Sequence, residues 1–167
     1  MSISLRTYTP VDLGEVLAIL YAAVHALPDA DYTPAERDAW APSVRDATAF
    51  HRSLVQNYAL VAEADGVLAG FGDIDDAGYL DRLFVRPDMQ RRGIASLLAD
   101  ELEEHARTGG LDVVTARVSV SARPFFLGRG YRIRAKQFVE RAGEQLTCFD
   151  MEKLLFLDPD DILWADD

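Results

Sequence analysis

The residues best placed to do chemistry lie between positions 80 and 96, where an apolar stretch passes through Arg86-Pro87 into Asp88-Met89-Gln90-Arg91-Arg92-Gly93-Ile94-Ala95-Ser96. A strand that turns at a proline into a basic, glycine-containing helix start makes an anion site out of backbone. Amides in a first helical turn lack intrahelical partners and carry the positive end of the peptide dipoles. A diphosphate laid across Ile94, Ala95 and Ser96 would therefore meet several donors and a favourable field. Gly93 has no Cβ to obstruct its approach, and Arg91 and Arg92 add charge. The pattern is neither a Walker A loop, which ends Gly-Lys-Ser/Thr, nor a G-x-G-x-x-G dinucleotide fingerprint. A solvated basic cap on a core helix is the plain alternative.

The elements that must hold this loop can be read from spacing. Ile94, Leu97, Leu98, Leu102 and Ala106 recur at helical intervals and predict a helix packed on a sheet. Gly109-Gly110 stops it, and residues 111–118 read as the next strand, completing a strand-helix-strand unit with locally parallel strands. Upstream, residues 4–9 form a strand and 10–26 a helix ended by Pro28. Thr33-Pro34 opens a second helix, and Ser43 caps a third running toward Phe50 or Leu54. Strands at 58–63 and 67–73 join at Asp65-Gly66, a hairpin pair, and a third strand at 78–85 leads to the loop. Downstream, a short helix at 122–127 precedes a final antiparallel pair, 131–141 and 145–155, turning at Ala142-Gly143.

Gln90-Arg91-Arg92-Gly93-Ile94-Ala95 resembles the Q/R-x-x-G-x-G/A signature of the GNAT superfamily of N-acetyltransferases. Ala122-Arg123-Pro124-Phe125-Phe126-Leu127-Gly128-Arg129-Gly130-Tyr131 resembles the second family signature, roughly A-x-x-F-Y-x-x-x-G-F, in the right order behind the first. The resemblance implies an α/β fold of the α+β mixed-sheet kind, with a twisted central sheet and helices on both faces. It implies acetyl-coenzyme A as cosubstrate, held by Leu83, Phe84, Val85, Gln90, Arg91, Arg92, Gly93, Ile94, Ala95 and Ser96, with Phe126 near the thiol end. It further implies that strands 80–85 and 113–118 splay apart to free main-chain groups for the pantetheine arm.

Acetyl transfer from a thioester to an amine needs an unprotonated nucleophile, donors for the oxyanion and an exit for the thiolate. By resemblance Asp81 is the carboxylate to act as base or amine-binding group, with Glu63, Asp73 and Asp75 as competitors. Strict alternation puts Asp81, Leu83 and Val85 on one face and Arg82 and Phe84 on the other, so a bulge would decide where Asp81 points. An amide near Phe84 or Val85 would hold the oxyanion. The sequence departs from the family at Phe126, where many members carry a tyrosine acid. Tyr131 either packs as the usual aromatic there or substitutes as the acid if its hydroxyl reaches the sulfur. The acceptor pocket is expected from the early helices and the final hairpin, with Tyr21, His25, Tyr32 and Trp40 supplying aromatic surface. Arg123 is either a coenzyme phosphate contact or a solvated helix-end charge.

The chain as a whole sets limits. With 167 residues and 49% hydrophobic content, a single domain over residues 1–155 is expected. Lys and Arg total 17 against 28 Asp and Glu, a net charge of -11. That field repels nucleic acid and anionic lipid and favours a cationic acceptor. Cys148 has no disulfide partner, His51 and His105 lack ligand-type spacing, and no apolar run would span a bilayer. No metal is therefore expected, and a cytoplasmic location is. Residues 156–167 form an acidic tail in which Ile162, Leu163 and Trp164 offer a docking strip for a surface or a second subunit, leaving a homodimer open. The expected function is direct transfer of acetyl to a primary amine of a small molecule or peptide, through a ternary complex and without acyl-Cys148. The alternative is a coenzyme A-binding sensor or structural module without catalysis, and a longer acyl donor or a hydroxyl acceptor also stays open.

Overall fold

Side-chain caps set the early boundaries. In the computed structural model, which describes residues 1–156, β1 (Ile3–Thr7) leads through a 3-10 turn at Pro10–Asp12 into α1 (Leu13–His25). Next come α2 (Pro34–Trp40) and α3 (Ala47–Gln56). Thr33 Oγ1 accepts from the Glu36 amide at 3.1 Å while the Glu36 carboxylate accepts from the Thr33 amide at 3.0 Å. This reciprocal box, with Pro34 in the first helical position, fixes the start of α2. The third helix corrects the sequence expectation: its cap is Asp46, not Ser43. The Asp46 carboxylate accepts from the Ala49 amide at 3.1 Å, and the buried stripe of Phe50 and Leu54 begins only after it.

Three strands follow, β2 (Tyr58–Ala64), β3 (Val67–Ile74) and β4 (Tyr79–Val85), then α4 (Ile94–Thr108), β5 (Val113–Ser119), α5 (Arg123–Gly128), β6 (Arg132–Arg141) and β7 (Glu144–Leu154). Asp65 and Gly66, at φ 52° and 82°, close the β2–β3 hairpin, and Ala142 and Gly143, at 48° and 82°, close β6–β7. Both are the left-handed pairs that match strand twist. The seven strands form one sheet in the order β1-β2-β3-β4-β5-β7-β6. The second strand of the last hairpin, rather than the first, pairs with β5, so β6 forms an edge.

Helices cover both faces, as expected. One core cluster holds Ile94, Leu98 and Leu102 of α4 with Leu80, Val85, Val114 and Met151. The other holds Val16, Leu20 and Val24 of α1 with Phe50, Leu54 and Phe71. Strands β4 and β5 are parallel but pair only at Tyr79 with Thr115 and Leu80 with Ala116. Beyond these pairs they diverge toward their C-terminal ends, leaving a V. Its apex is pinned by the Thr115 amide donating to Gly78 O at 2.9 Å. Gly78 has φ 88°, and a Cβ there would lie 2.7 Å from Val113 O, so only glycine permits this approach.

Candidate active site

Asp81 is the first residue past the last parallel pair, and it is also the extra residue of a bulge. Register with β3 pairs Asp73 with Arg82 and Ile74 with Leu80, leaving Asp81 without an opposite number. A bulge resets the alternation of the strand. Leu80 and Leu83, three apart, therefore both face the α4 cluster, while Phe84 packs toward α1. This corrects the alternation expected from sequence: Asp81 leaves the side of Leu83 and joins Arg82, whose guanidinium it meets at 3.1 Å.

The main chain of β4 follows the same logic. The Arg86 amide donates to Ala69 O at 2.8 Å, and bonded pairs alternate along an antiparallel ladder. The amides of Phe84 and Arg82 therefore face β3, while those of Leu83 and Val85 face the V. Of the two oxyanion donors expected near this point, Phe84 is committed to the sheet and Val85 is directed into the gap.

Where β4 ends, the chain rises over Pro87–Met89 into α4. Arg91 and Gly93 both adopt left-handed backbone, at φ 62° and 81°. Gly93 is the N-cap, and among the described residues no side chain caps the helix. The first intrahelical bond runs from the Leu97 amide to Gly93 O at 3.0 Å, so the amides of Ile94, Ala95 and Ser96 have no intrahelical acceptor. A Cβ on Gly93 would meet nothing among the described residues within 4 Å. Its glycine answers to the backbone angle, and the space outside it is open to an approaching anion. Ile94 anchors this turn in the core at 1% exposure, and Arg91 and Arg92 project into solvent. A diphosphate over the helix start, with its arm running into a V edged by the main chain of Leu83 and Val85, fits these groups.

A family model described as an acetyltransferase (GNAT) domain matches residues 28–155. The chain belongs to the GNAT acetyltransferase family. It is 31% identical over 150 residues to the uncharacterized N-acetyltransferase YafP of Escherichia coli (strain K12), over 90% of this chain and 95% of that protein. In structure it is similar to a GCN5-related N-acetyltransferase from Rhodopseudomonas palustris, with a TM-score of 0.89, 32% identity and coverage of 92% of this chain and 96% of that one. It also resembles PaiA N-acetyltransferase from Thermoplasma acidophilum, which was solved with coenzyme A. There the TM-score is 0.76, the identity 20% and the coverage 92% and 99%; at that identity the likeness shows the shared fold.

In this acetyltransferase several expected site residues have other work. Tyr131 takes the packing place that the sequence offered beside the acid role. It is 3% exposed, and its hydroxyl donates to Glu103 Oε2 at 2.9 Å. Burial first, and then the Glu103 charge, push its pKa far above the ordinary range. Glu103 in turn meets Lys153 at 2.6 Å and Arg129 at 3.0 Å. Tyr32 is buried at 2% exposure, and its hydroxyl donates to Thr147 O at 2.7 Å and accepts from the Val120 amide at 2.8 Å. Both functions are used in stitching the α1–α2 connection to the ends of β5 and β7. His25 is partly buried, with its Nε2 bonded to Ala41 O at 2.8 Å and its ring stacked on Tyr21. Trp40 stays near the gap, edge-on to Phe84 at 6.3 Å. Phe126 is 5% exposed and packs edge-on to Tyr131, while Arg123 lies over the Phe149 ring at 4.7 Å.

The competing carboxylates also separate. Glu63 pairs with Arg6 at 2.8 Å on the β1–β2 side, and Asp75 accepts from the amides of Ala77 and Tyr79 in a turn. Asp73 is fully buried; its Oδ2 accepts from Asn57 at 3.0 Å and Arg82 at 3.1 Å, and its Oδ1 has no partner among the described residues. Burial raises its pKa to about 6 against the pull of Arg82. Arg82 also reaches Ser53 Oγ of α3. Asn57 and Ser53 went unnoticed in sequence because each is ordinary alone, and Arg82 was placed only by alternation; an arginine amid the apolar residues of a strand was the available signal for its contacts.

Proposed function

We propose that this enzyme transfers acetyl from acetyl-coenzyme A directly to a primary amine in a ternary complex, with residues 1–155 as one catalytic unit. The observation that carries the reading is the position of Asp81, bulged out of β4 at the apex of a V that opens toward an uncapped helix start. The diphosphate lies on the amides of Ile94, Ala95 and Ser96 with Gln90, Arg91, Arg92 and Gly93 around it. The pantetheine arm pairs with the main chain of Leu83 and Val85. When bound, the coenzyme supplies a thioester whose carbonyl is open to attack.

Asp81 orients the amine and takes its proton, a step typically worth 10²–10⁴-fold. The Val85 amide holds the developing oxyanion. Because a thiol is acidic near 8.5, its anion leaves without a dedicated acid, which suits a site with Phe126 in place of tyrosine and a Tyr131 hydroxyl locked onto Glu103. Cys148 is buried, and burial raises its pKa, so a direct transfer is favoured over an acyl-cysteine.

The same missing tyrosine favours one second reading, a coenzyme A-binding sensor without catalysis. Release of free thiol from acetyl-coenzyme A across a panel of amines, measured with a thiol reagent, separates the two. Catalysis predicts amine-dependent release that falls at least about a hundredfold in Asp81→Asn; stabilisation by the coenzyme with no release from any amine identifies the sensor.

A further inference from the structure

Arg82 is held from behind by three groups and faces Asp81 with what is left. Its Nη1 donates to Asp73 Oδ2 at 3.1 Å, its Nη2 reaches Ser53 Oγ of α3, and its Cζ lies 4.7 Å from the centre of the Phe50 ring. The remaining contact runs forward, from Nη2 to Asp81 Oδ2 at 3.1 Å. Neighbours in a strand normally point to opposite faces; the bulge at Asp81 brings it round to Arg82. Side-chain exposure rises from 0% at Asp73 through 14% at Arg82 to 34% at Asp81, so the last of the three is the one open to an incoming amine. Among the described residues no donor is bonded to Asp81 Oδ1, which leaves that oxygen for the amine.

A carboxylate beside an unshared guanidinium is a poor base. The opposite charge holds it ionised and lowers its affinity for a proton, commonly by about tenfold or more. Asp73 offsets this. It is charged above about pH 6, and its charge on one arm of the guanidinium counters the attraction that the other arm exerts on Asp81. Two acids and one arginine then leave one negative charge, which favours an ammonium; with Asp73 neutral, none is left. The other charges near Tyr79 at the apex, Arg117 and Asp150, pair with each other at 3.1 Å and cancel. The Asp73 pair adds little to stability, because desolvating a core carboxylate offsets most of what its attraction returns. What it does provide is a guanidinium fixed in place.

Resting on the catalytic reading above, we propose that Asp73 is a positioning residue for Asp81 and acts through Arg82: it anchors the guanidinium and shares its charge, so that Asp81 presents a free oxygen still basic enough to take the proton of the amine. Asp73 itself touches neither acceptor nor coenzyme. Arginine suits the middle place because its planar fork carries several donors and can bond both acids and the Ser53 hydroxyl in one geometry, which a lysine cannot.

The test is a double-mutant cycle on kcat/KM for thiol release with the most active amine of the panel, alongside calorimetric affinity for acetyl-coenzyme A. Asp73→Asn, which keeps the shape and removes the charge, should lower kcat/KM about tenfold and leave acetyl-coenzyme A affinity unchanged. In an Asp81→Asn background the same substitution should change kcat/KM by less than about twofold, because the residue it acts through is gone. Arg82→Lys, which keeps a charge beside buried Asp73 but lacks the fork, should follow the same pattern, and it carries the comparison if Asp73→Asn does not fold. An equal loss in both backgrounds, or full activity in the single variants, assigns Asp73 to stability alone and overturns this inference while the role of Asp81 stands. No release from any amine, or wild-type rates in Asp81→Asn, overturns the catalytic reading and takes the inference with it.

Discussion

The carboxylate of Asp73, wholly buried, rests 3.1 Å from the guanidinium of Arg82, and the other arm of that guanidinium reaches Asp81. One arginine thus links a core acid to the acid at the apex of the V. Arg82→Met keeps most of the stem but leaves Asp73 with Asn57 alone, and removing one partner of a buried pair typically costs about 3 kcal/mol.

The pH dependence of this variant has a definite sign. Folded Asp73 titrates at about 6 rather than 3.8, so the folded state holds that proton more tightly than the unfolded chain. Its contribution is full below about pH 4 and is lost as the pH rises through 6. Without Arg82 the burial penalty is unopposed, so Arg82→Met should be further below the wild type at pH 8 than at pH 5. Urea unfolding at the two pH values checks this; an equal deficit at both would contradict it.

Asp12 should govern the acid limb. The Arg6 hydrogen bonds, at 2.8 Å, hold its pKa at about 2. A depressed carboxylate stabilises above its unfolded value of 3.8 and loses that effect as the pH falls through 2. Arg6 is 41% exposed, so solvent screening brings the expected effect down to about 1 kcal/mol. Arg6→Gln should flatten wild-type stability between pH 4 and 2, as measured by denaturant titration.

Tyr131→Phe separates the core role from the catalytic one. Glu103 loses one donor but keeps Lys153 and Arg129, and stability should fall by about 1–2 kcal/mol. Turnover and its pH profile should stay at the wild-type level; a loss of kcat with unchanged stability would restore Tyr131 as the acid.

Much of this architecture was legible because local chemistry dictated it. Asp65-Gly66 and Ala142-Gly143 close hairpins by their backbone preference, Thr33 and Pro34 announce a helix start, and Ile94 to Ala106 carry a helical stripe. The start of α4 at Gly93 was readable too, since that glycine lies between basic residues and an apolar stripe. The divergence of β4 and β5 came only through family resemblance, because no residue pattern distinguishes a strand that has lost its neighbour. The bulge at Asp81 was invisible because alternation sets side-chain direction only until register shifts, and register depends on the partner strand. Tyr32, His25 and Tyr131 looked like site residues because their polar atoms needed partners, and sequence cannot show that Thr147, Val120, Ala41 and Glu103 supply them from distant positions. The tail residues Ile162, Leu163 and Trp164 lie outside the described residues.

Asp81→Asn tests the base. With the carboxylate gone, the acceptor must lose its proton to solvent, so the pH profile of kcat/KM should move to more alkaline values while acetyl-coenzyme A affinity holds. A profile superimposable on the wild type would remove Asp81 from the chemistry.

The central claim, a coenzyme diphosphate on the amides of Ile94, Ala95 and Ser96, is tested most directly by calorimetric titration of acetyl-coenzyme A into wild type, Gly93→Ala and Gly93→Glu. Both variants bear the same backbone strain at φ 81°, of order 1 kcal/mol, so their comparison isolates the anion site. The account predicts that Gly93→Glu, which places a carboxylate where the phosphates approach, binds at least about a hundredfold more weakly than Gly93→Ala. Equal affinity in the two variants would contradict it.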